Sequence, residues 1–410
     1  MKNKVFSHGI KNVEKYYYLF FALILMFFYT SDFVLNCDIK SHYDFALKLP
    51  LLFENGVEWF TENVKYAHIL SYPGWHVLFL IAYLLFRPGA VANFFSYEYC
   101  AVLASAVVNT FFSLATIYVT VLGLQRCFDM RKKIALVISS VLMFVGPLYV
   151  PILIPNYYLG QFTANPWHNP TTIAVEPFCV ACFFLFCYVR KEKNGLTEKK
   201  LHIILGELSI LLVLSAFFKP SFYQSFVPAV AAYIVLDICF FKTETFKNNI
   251  KCMFALLPVC ILALFQYILS FTGTSNGIVI KPFEVWLLYS KNPLVSFFCS
   301  YFFLFVAAFA FGQEHCLQER TKISTLFVFS SVSQFVLFSF EKGAGAADFL
   351  WGVYLASYCA FLVAMVSLTE WIENKGFNTR AKITTVALLC HFISGLGYFI
   401  AIFLVGSYKL

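Results

Sequence analysis

Runs of about 20 apolar residues recur from one end of this 410-residue chain to the other. A helix of that length spans ~30 Å, the thickness of the hydrocarbon core of a bilayer. Hydrophobic residues make up 60% of the chain and charged residues 13%, against roughly 45–50% and about 25% in soluble domains. A water-soluble core cannot hold this excess. We therefore expect an all-α, polytopic integral membrane protein that forms a bundle of transmembrane helices.

Eleven apolar runs are long enough to cross a membrane. The first is too long for the hydrophobic part of a secretory signal, about 7–15 residues, and it lacks a small-residue cleavage site. A twelfth run, residues 76–86, lies between two breakers and has the length of a re-entrant or interfacial helix. The sequence thus predicts about 11 transmembrane helices, near residues 16–36, 99–124, 134–154, 172–189, 201–218, 222–241, 252–272, 293–312, 323–340, 349–369 and 383–407.

The basic residues predict the orientation, because cytoplasmic loops are enriched in Lys and Arg. If residues 76–86 do not cross, about two thirds of the 30 Lys and Arg residues face the cytoplasm; if they cross, about one third do. We therefore predict one transmembrane domain, 1–410, with a cytoplasmic tail at 1–15 and the C-terminus outside. Its outer loops are 37–98, which contains interfacial helices, and 155–171. Part of the first loop, 45–60, has the pattern of an amphipathic surface helix.

The formal charge of +8 reflects these loops more than an anionic partner, and it does not predict nucleic-acid binding. The 13 Cys residues lie mainly inside apolar runs. The Cys179-Val180-Ala181-Cys182 pair stands alone, so we interpret these residues as small hydrophobic side chains.

The first outer loop opens with a polar motif directly after the first span. Asp38 and His42 are four residues apart, so on a helix they would face the same point. Together with Asp44 they are the candidate catalytic residues, since a carboxylate and an imidazole can deprotonate an acceptor hydroxyl. Asp38 and Asp44 are also the candidate ligands of an optional divalent cation, Mg²⁺ or Mn²⁺. The alternative is a solvated loop whose polar residues are unrelated.

A second polar segment, residues 156–171, joins two helices that need only a short turn. Its aromatic and amide side chains are the kinds that usually contact sugars in proteins. The candidate substrate-binding residues here are Asn165, Trp167, His168 and Asn169. An interfacial aromatic belt is the alternative interpretation.

Three more candidate substrate-binding residues lie in short polar turns on the predicted outer face: His76, Lys219 and Lys342. A Lys side chain can bind phosphate as a point charge. Snorkelling at the interface is the alternative for the two lysines, and local hydrogen bonding is the alternative for His76. Asp348 and Glu284 are further acidic candidates on this face.

The order of these features resembles the GT-C class of multispanning membrane glycosyltransferases. Asp38 with Asp44 looks like the acidic motif that opens the first outer loop in that class. Tyr72-Pro73-Gly74-Trp75-His76 is similar to its Pro-containing interfacial step. The turns Phe218-Lys219-Pro220 and Glu341-Lys342-Gly343 resemble the outward lysine turns of the aminoarabinose transferase branch, which, like the protein O-mannosyltransferases, uses a polyprenyl-phosphate sugar.

The resemblance implies a transferase that moves a sugar from a polyprenyl-phosphate donor to a lipid or glycan acceptor at the outer face. Asp38 would act on the acceptor, and Lys219 and Lys342 would hold the donor phosphate. The acidic motif departs from the adjacent acidic pair of many members, and the segment 165–170 has no counterpart across the class. We take that segment as the mark of a bacterial envelope-polysaccharide subfamily, which predicts the bacterial plasma membrane as the location.

Two other functions fit the same pattern. A transporter or flippase for a lipid-linked saccharide also needs many helices and a polar mouth, but it predicts polar residues and helix breaks at membrane depth. An envelope polysaccharide polymerase usually needs a large late outer loop, whereas the loop at about 273–292 is modest.

Overall fold

The computed structural model describes residues 2–51, 54, 56, 71–87, 97–153, 156–158, 160–191, 196–271, 277–340 and 348–409. These residues are mainly helical. Two three-residue strands, β1 (Ile278–Ile280) and β2 (Phe338–Phe340), pair antiparallel. A 3-10 turn spans Asp32–Asn36, and a π turn spans Asp237–Phe241. The helices are α1 (Lys2–Tyr29), α2 (Asp38–Ala46), α3 (Gly74–Phe86), α4 (Tyr97–Phe128), α5 (Lys132–Leu142), α6 (Pro170–Lys191), α7 (Glu198–Ala216), α8 (Ser221–Leu236), α9 (Phe246–Phe271), α10 (Glu284–Tyr289), α11 (Pro293–Phe311), α12 (Gln313–Cys316), α13 (Glu319–Leu337), α14 (Leu350–Lys375) and α15 (Thr379–Val405).

The helical, membrane-embedded character is confirmed. Among the described residues, seven helices are long and apolar enough to cross a membrane: Tyr97–Phe128, Pro170–Lys191, Ser221–Phe241, Phe246–Ile268, Pro293–Phe311, Leu350–Lys375 and Thr379–Val405. Helix α14 lies at the centre of the bundle, because 94% of its most apolar stretch is buried. It packs against α13, α8, α11, α6, α15 and α5. In the most peripheral helices, α9 and α15, only 28% of the most apolar stretch is buried, so apolar side chains remain exposed and can contact lipid.

The predicted count of about 11 transmembrane helices is corrected by this structure. The described apolar part of α1, Tyr16–Tyr29, is shorter than a full span. Helix α5 has 11 residues, which gives a length of only ~17 Å. Helix α7 begins with three charged residues and carries Glu207, and α13 also begins with charged residues. Apolar content alone therefore overestimated the number of spans.

Within the predicted span 134–154, α5 ends at Leu142 and residues 143–153 are not helical. Residues 145–150 run without helical structure between α11 and α15. The Gly146 N–H donates to the carbonyl of His391 (3.2 Å), and the His391 ring is 2.7 Å from the Gly146 carbonyl oxygen. A methyl group on Gly395 would lie 2.0 Å from the Phe144 oxygen, so glycine permits this close approach. Neighbouring helices thus satisfy the backbone groups that a continuous helix would have paired.

The first loop contains the short helix that the sequence predicts at 76–86, here α3. At 13 residues it is ~20 Å long, less than the hydrocarbon thickness. Its first residue, Gly74, donates a 2.7 Å hydrogen bond to the carbonyl of Phe217, and a Cβ at Gly74 would lie 2.8 Å from that oxygen. This contact joins α3 to the end of α7. In the predicted surface helix, 45–60, residues 45–46 end α2 and residues 47–50 form turns, while 52, 53, 55 and 57–60 lie outside the described residues.

The two ends of the bundle differ in chemistry. One end, where α14 finishes, carries ion pairs between elements: Arg131–Glu373, Lys191–Asp129, Arg320–Glu370 and Lys375–Glu314. The other end, where α2, α6, α8 and α14 begin, is the site end. Helix α14 has 26 residues, so the two ends are ~39 Å apart.

Candidate functional site

Asn169 is the hub of a hydrogen-bond network at the site end. It immediately precedes Pro170, the first residue of α6, and its side-chain oxygen accepts from the Thr172 N–H at 3.0 Å. Asn before Pro at a helix start is a favoured N-cap arrangement. The same oxygen accepts from the hydroxyls of Thr171 (2.9 Å) and Thr172 (2.8 Å) and from the Lys219 ammonium (2.8 Å). Because Asn169 is only 3% exposed, the network is shielded from solvent.

Lys219 reaches this hub from the turn between α7 and α8. Its N–H continues the end of α7 by bonding to the Ser215 carbonyl, and Pro220 then starts the next helix. The ammonium also donates to the Thr171 hydroxyl at 3.0 Å and lies 4.4 Å from the centre of the Trp351 ring. Burial lowers the pKa of Lys219 to about 7, although the charges of Asp348 and Asp38 oppose that shift. The side chain is therefore a cation whose charge changes near neutral pH.

A cavity of about 260 Å³ opens beside Lys219. Asp348 is accessible from it, yet the surrounding protein raises the pKa of that carboxyl by desolvation, which Lys219 and a hydrogen bond from Trp351 partly offset. The Ser221 hydroxyl, in a residue that is 5% exposed, has no hydrogen-bond partner among the described residues. The aromatic and amide side chains that line this cavity are Tyr72, Tyr223, Tyr267, Phe349, Trp351, Gln224 and Gln266.

Asp38, the first residue of α2, lies on the other side of Asn169. The Asn169 side-chain NH₂ donates to the Asp38 carboxylate at 3.1 Å. That NH₂ and the oxygen bound to Lys219 belong to one amide, so the carboxylate and the ammonium lie within about 8 Å of each other. The Asp38 side chain is 34% exposed. A carboxylate, a cation and an accessible cavity are thus adjacent.

His168 adjoins Asp38, with its Nε2 atom 3.9 Å from the carboxylate. Its ring stacks on Tyr408 at 4.3 Å and meets Tyr158 edge to face. Burial lowers the pKa of His168 to about 4, an effect to which Lys219 adds and which Asp38 opposes. The ring is therefore neutral at pH 7, and its buried Nδ1 accepts or donates no hydrogen bond within the part of the chain that the structure describes.

His42 and His76 form a pair of their own. Nδ1 of His42 is 3.0 Å from Nε2 of His76, and the residues are 8% and 0% exposed. The i, i+4 spacing puts His42 on the same face of α2 as Asp38. A ring nitrogen of His42 nevertheless contacts His76, and this contact joins α2 to α3.

Asp44 lies on a different side of α2 from Asp38. Six residues along a helix rotate a side chain to about 120° away. Asp44 pairs with Lys40 at 4.0 Å, and Lys40 also binds Glu98 at 2.9 Å. In the part of the chain that the structure describes, no group of three or more His, Cys, Asp and Glu side chains could hold a metal ion. The geometry gives no support to a cation between Asp38 and Asp44.

Two other candidates build the scaffold. The Asn165 NH₂ donates to the carbonyls of Leu142 and Val145, both at 2.9 Å, so it caps the end of α5. Trp167 is 5% exposed and packs against the Phe28 and Phe399 rings. Lys342 lies outside the described residues.

Sequence reasoning missed Ser221, Trp351 and the aromatic lining of the cavity. Ser221 follows a Lys-Pro step at a helix start, which is a signal for an exposed helix N-terminus. Trp351 and the tyrosines gave no signal, since aromatic residues make up 20% of the chain. No protein-family model, curated protein or solved structure matches this chain. Its function has to be argued from the site.

Proposed function

We propose that this protein is a membrane glycosyltransferase that moves a sugar from a polyprenyl-phosphate donor to a hydroxyl of a lipid or glycan acceptor. The observation that supports this most is the bridge through Asn169, which holds a carboxylate and a buried lysine in one network. A glycosyl transfer from a phosphate needs both groups, because one must take the acceptor proton and the other must stabilise the departing phosphate.

The phosphate would bind where Lys219 meets the start of α8. Within the described parts of the chain no side chain caps that helix, so its first turn presents the positive end of the helix dipole. The Ser221 hydroxyl and the Lys219 ammonium border the same cavity. Helix N-termini with a nearby cation are favourable sites for phosphate.

The rest of the cavity suits a sugar. Aromatic rings offer apolar faces, and Gln224, Gln266 and Asp348 offer hydrogen-bonding groups. The volume of about 260 Å³ is near the lower end of the range for small-molecule sites, about 300–1,000 Å³. This size favours one monosaccharide over a longer glycan.

The reaction would proceed in one displacement. The acceptor oxygen forms a bond to the anomeric carbon while the bond from that carbon to the phosphate oxygen breaks. Asp38 takes the acceptor proton, and the polyprenyl phosphate leaves with the bonding electrons, stabilised by Lys219 and the α8 N-terminus. Attack opposite the leaving group inverts the anomeric centre. Neutral His168 would help to hold the acceptor beside Asp38.

The charge distribution supports an outward-facing cavity. Arg131, Lys191, Arg320 and Lys375 are concentrated at the end opposite the site, and cytoplasmic ends are usually the basic ones. We accordingly propose a cytoplasmic N-terminus, an outward site and a bacterial plasma membrane.

The test is sugar transfer in proteoliposomes. The probes are polyprenyl phosphates that each carry one radiolabelled hexose or pentose, with extracted membrane glycolipids as acceptors. Wild-type protein should label the acceptor, and Asp38→Asn and Lys219→Met should each lower the rate at least ~100-fold. Asp44→Asn is the matched control and should keep the wild-type rate. Normal product from both site variants would overturn the mechanism.

A flippase for a lipid-linked saccharide is the second candidate, favoured by two observations. Residues 145–150 lack helical structure where the sequence predicts a span, and broken helices are typical of transporters. Helix α4 also buries a polar face, formed by Ser105, Asn109, Ser113, Thr116 and Thr120. In the same proteoliposomes, movement of labelled lipid between leaflets without acceptor labelling, and insensitive to Asp38→Asn, would favour this function.

A further inference from the structure

Both polar ends of the Asn169 side-chain amide bind charged side chains. Its oxygen accepts from Lys219 at 2.8 Å, and its NH₂ donates to Asp38 at 3.1 Å. With the Thr172 N–H and the two threonine hydroxyls, this oxygen has four donors. Since an amide is rigid and planar, moving either end moves the other.

A helix cap accounts for only part of this arrangement. Capping α6 requires an oxygen that accepts from the Thr172 N–H, and Ser or Asp would serve as well as Asn. Ser has no NH₂ group, and Asp would place a second negative charge against Asp38. A hydroxyl could donate only through the same oxygen that accepts from Thr172 and Lys219, so Asn alone among the preferred caps offers a separate donor atom for a carboxylate.

We propose that Asn169 is a positioning residue that orients the Asp38 carboxylate and fixes its distance from Lys219. This inference rests on the proposed function and assigns Asn169 a role other than direct substrate binding. A hydrogen bond has a preferred direction at a carboxylate oxygen, so the Asn169 NH₂ restricts the orientation of the Asp38 side chain. Asp38 would thus be held in place to accept a proton when the donor phosphate binds at Lys219.

The chain offers a matched control for the experiment. Asn292 is followed by Pro293 and caps α11, its side chain accepting from the Val295 N–H at 3.3 Å. It has the same Asn-Pro step at the start of a different helix. Asn169→Ser and Asn292→Ser each keep a capping oxygen and remove an NH₂, so only the first loses the contact with Asp38.

Two readouts test the inference. In the transfer assay, Asn169→Ser should lower kcat at least ~10-fold with KM changed less than ~3-fold, as expected when an orienting contact and not a substrate contact is lost. The second readout needs no turnover. The antisymmetric carboxylate stretch of Asp38, identified in the infrared spectrum by its loss in Asp38→Asn, should change frequency in Asn169→Ser and stay unchanged in Asn292→Ser, because only the first removes a hydrogen bond to that carboxylate.

The outcomes separate this inference from the proposed function. If neither the wild type nor any variant transfers sugar but the infrared frequency still changes in Asn169→Ser, the transferase proposal fails and the positioning of Asp38 stands. If Asn169→Ser matches Asn292→Ser and the wild type in both readouts, Asn169 is only a helix cap. Thermal unfolding of both variants checks that each remains folded, and an Asn169→Asp variant, which keeps the cap but repels Asp38, should lower kcat at least as much as Asn169→Ser.

Discussion

Changing pH between 6 and 8 should alter the affinity of the cavity for a phosphodiester about tenfold. Burial lowers the pKa of Lys219 to about 7, so the ammonium fraction falls from about nine tenths at pH 6 to about one tenth at pH 8. A diester keeps one negative charge across this range. Only the protonated lysine provides a charge-assisted hydrogen bond, so affinity should decrease as pH rises.

The neighbouring charges do not reverse this direction. His168, with a pKa lowered to about 4, stays neutral across the range. The pKa of Asp348 is raised by desolvation, and any ionisation of this carboxyl as pH rises also disfavours an anion. Isothermal titration calorimetry with a short-chain diester in detergent measures the effect. Lys219→Arg, which stays charged, should give a flat profile. If the affinity of the wild type does not change with pH, or changes equally in the wild type and Lys219→Arg, Lys219 does not set the pH dependence.

Three further substitutions give predictions that need only binding or unfolding measurements. Ser221→Ala should weaken diester binding roughly 2- to 10-fold, because one neutral hydrogen bond is lost; an unchanged Kd would exclude the hydroxyl from the site. Asp348→Asn removes a carboxylate that raises the pKa of Lys219, so the midpoint of the diester titration should move to lower pH, and an upward move would contradict the assignment. Gly395→Ala should lower the unfolding temperature in detergent by several degrees, since its Cβ would lie 2.0 Å from a carbonyl oxygen, whereas Gly206→Ala, with nothing within 4 Å, should not.

The sequence could place polar residues at helix ends but could not show how they pair. Asp38, Asn169 and Lys219 were candidates because each lies where an apolar run begins or ends, and the structure brings these three together. The partner of His42 is His76, 34 positions along the chain, which i, i+4 reasoning on one helix cannot reveal. The burial of Trp167 in the core likewise depends on helices distant in sequence.

The number of spans could not be read from apolar content, because hydropathy does not report where backbone hydrogen bonds go. The run 134–154 is mainly apolar, yet residues 145–150 are not helical, and backbone N–H groups there donate to the carbonyls of His391 and Cys299. Glycines at positions 146 and 395 permit the close packing this requires. An isolated sequence window contains no information about such a partner.

In the proposed mechanism one ligand contacts both Lys219 and the region of Asp38. An experimental structure of the protein bound to a non-hydrolysable polyprenyl-phosphonate sugar tests it most directly. We predict that the phosphorus atom lies roughly 4 Å from the Lys219 nitrogen, next to the first turn of α8, and that the anomeric carbon is directed towards Asp38. A phosphonate bound elsewhere, or a sugar held away from Asp38 with no room for an acceptor between them, would contradict it.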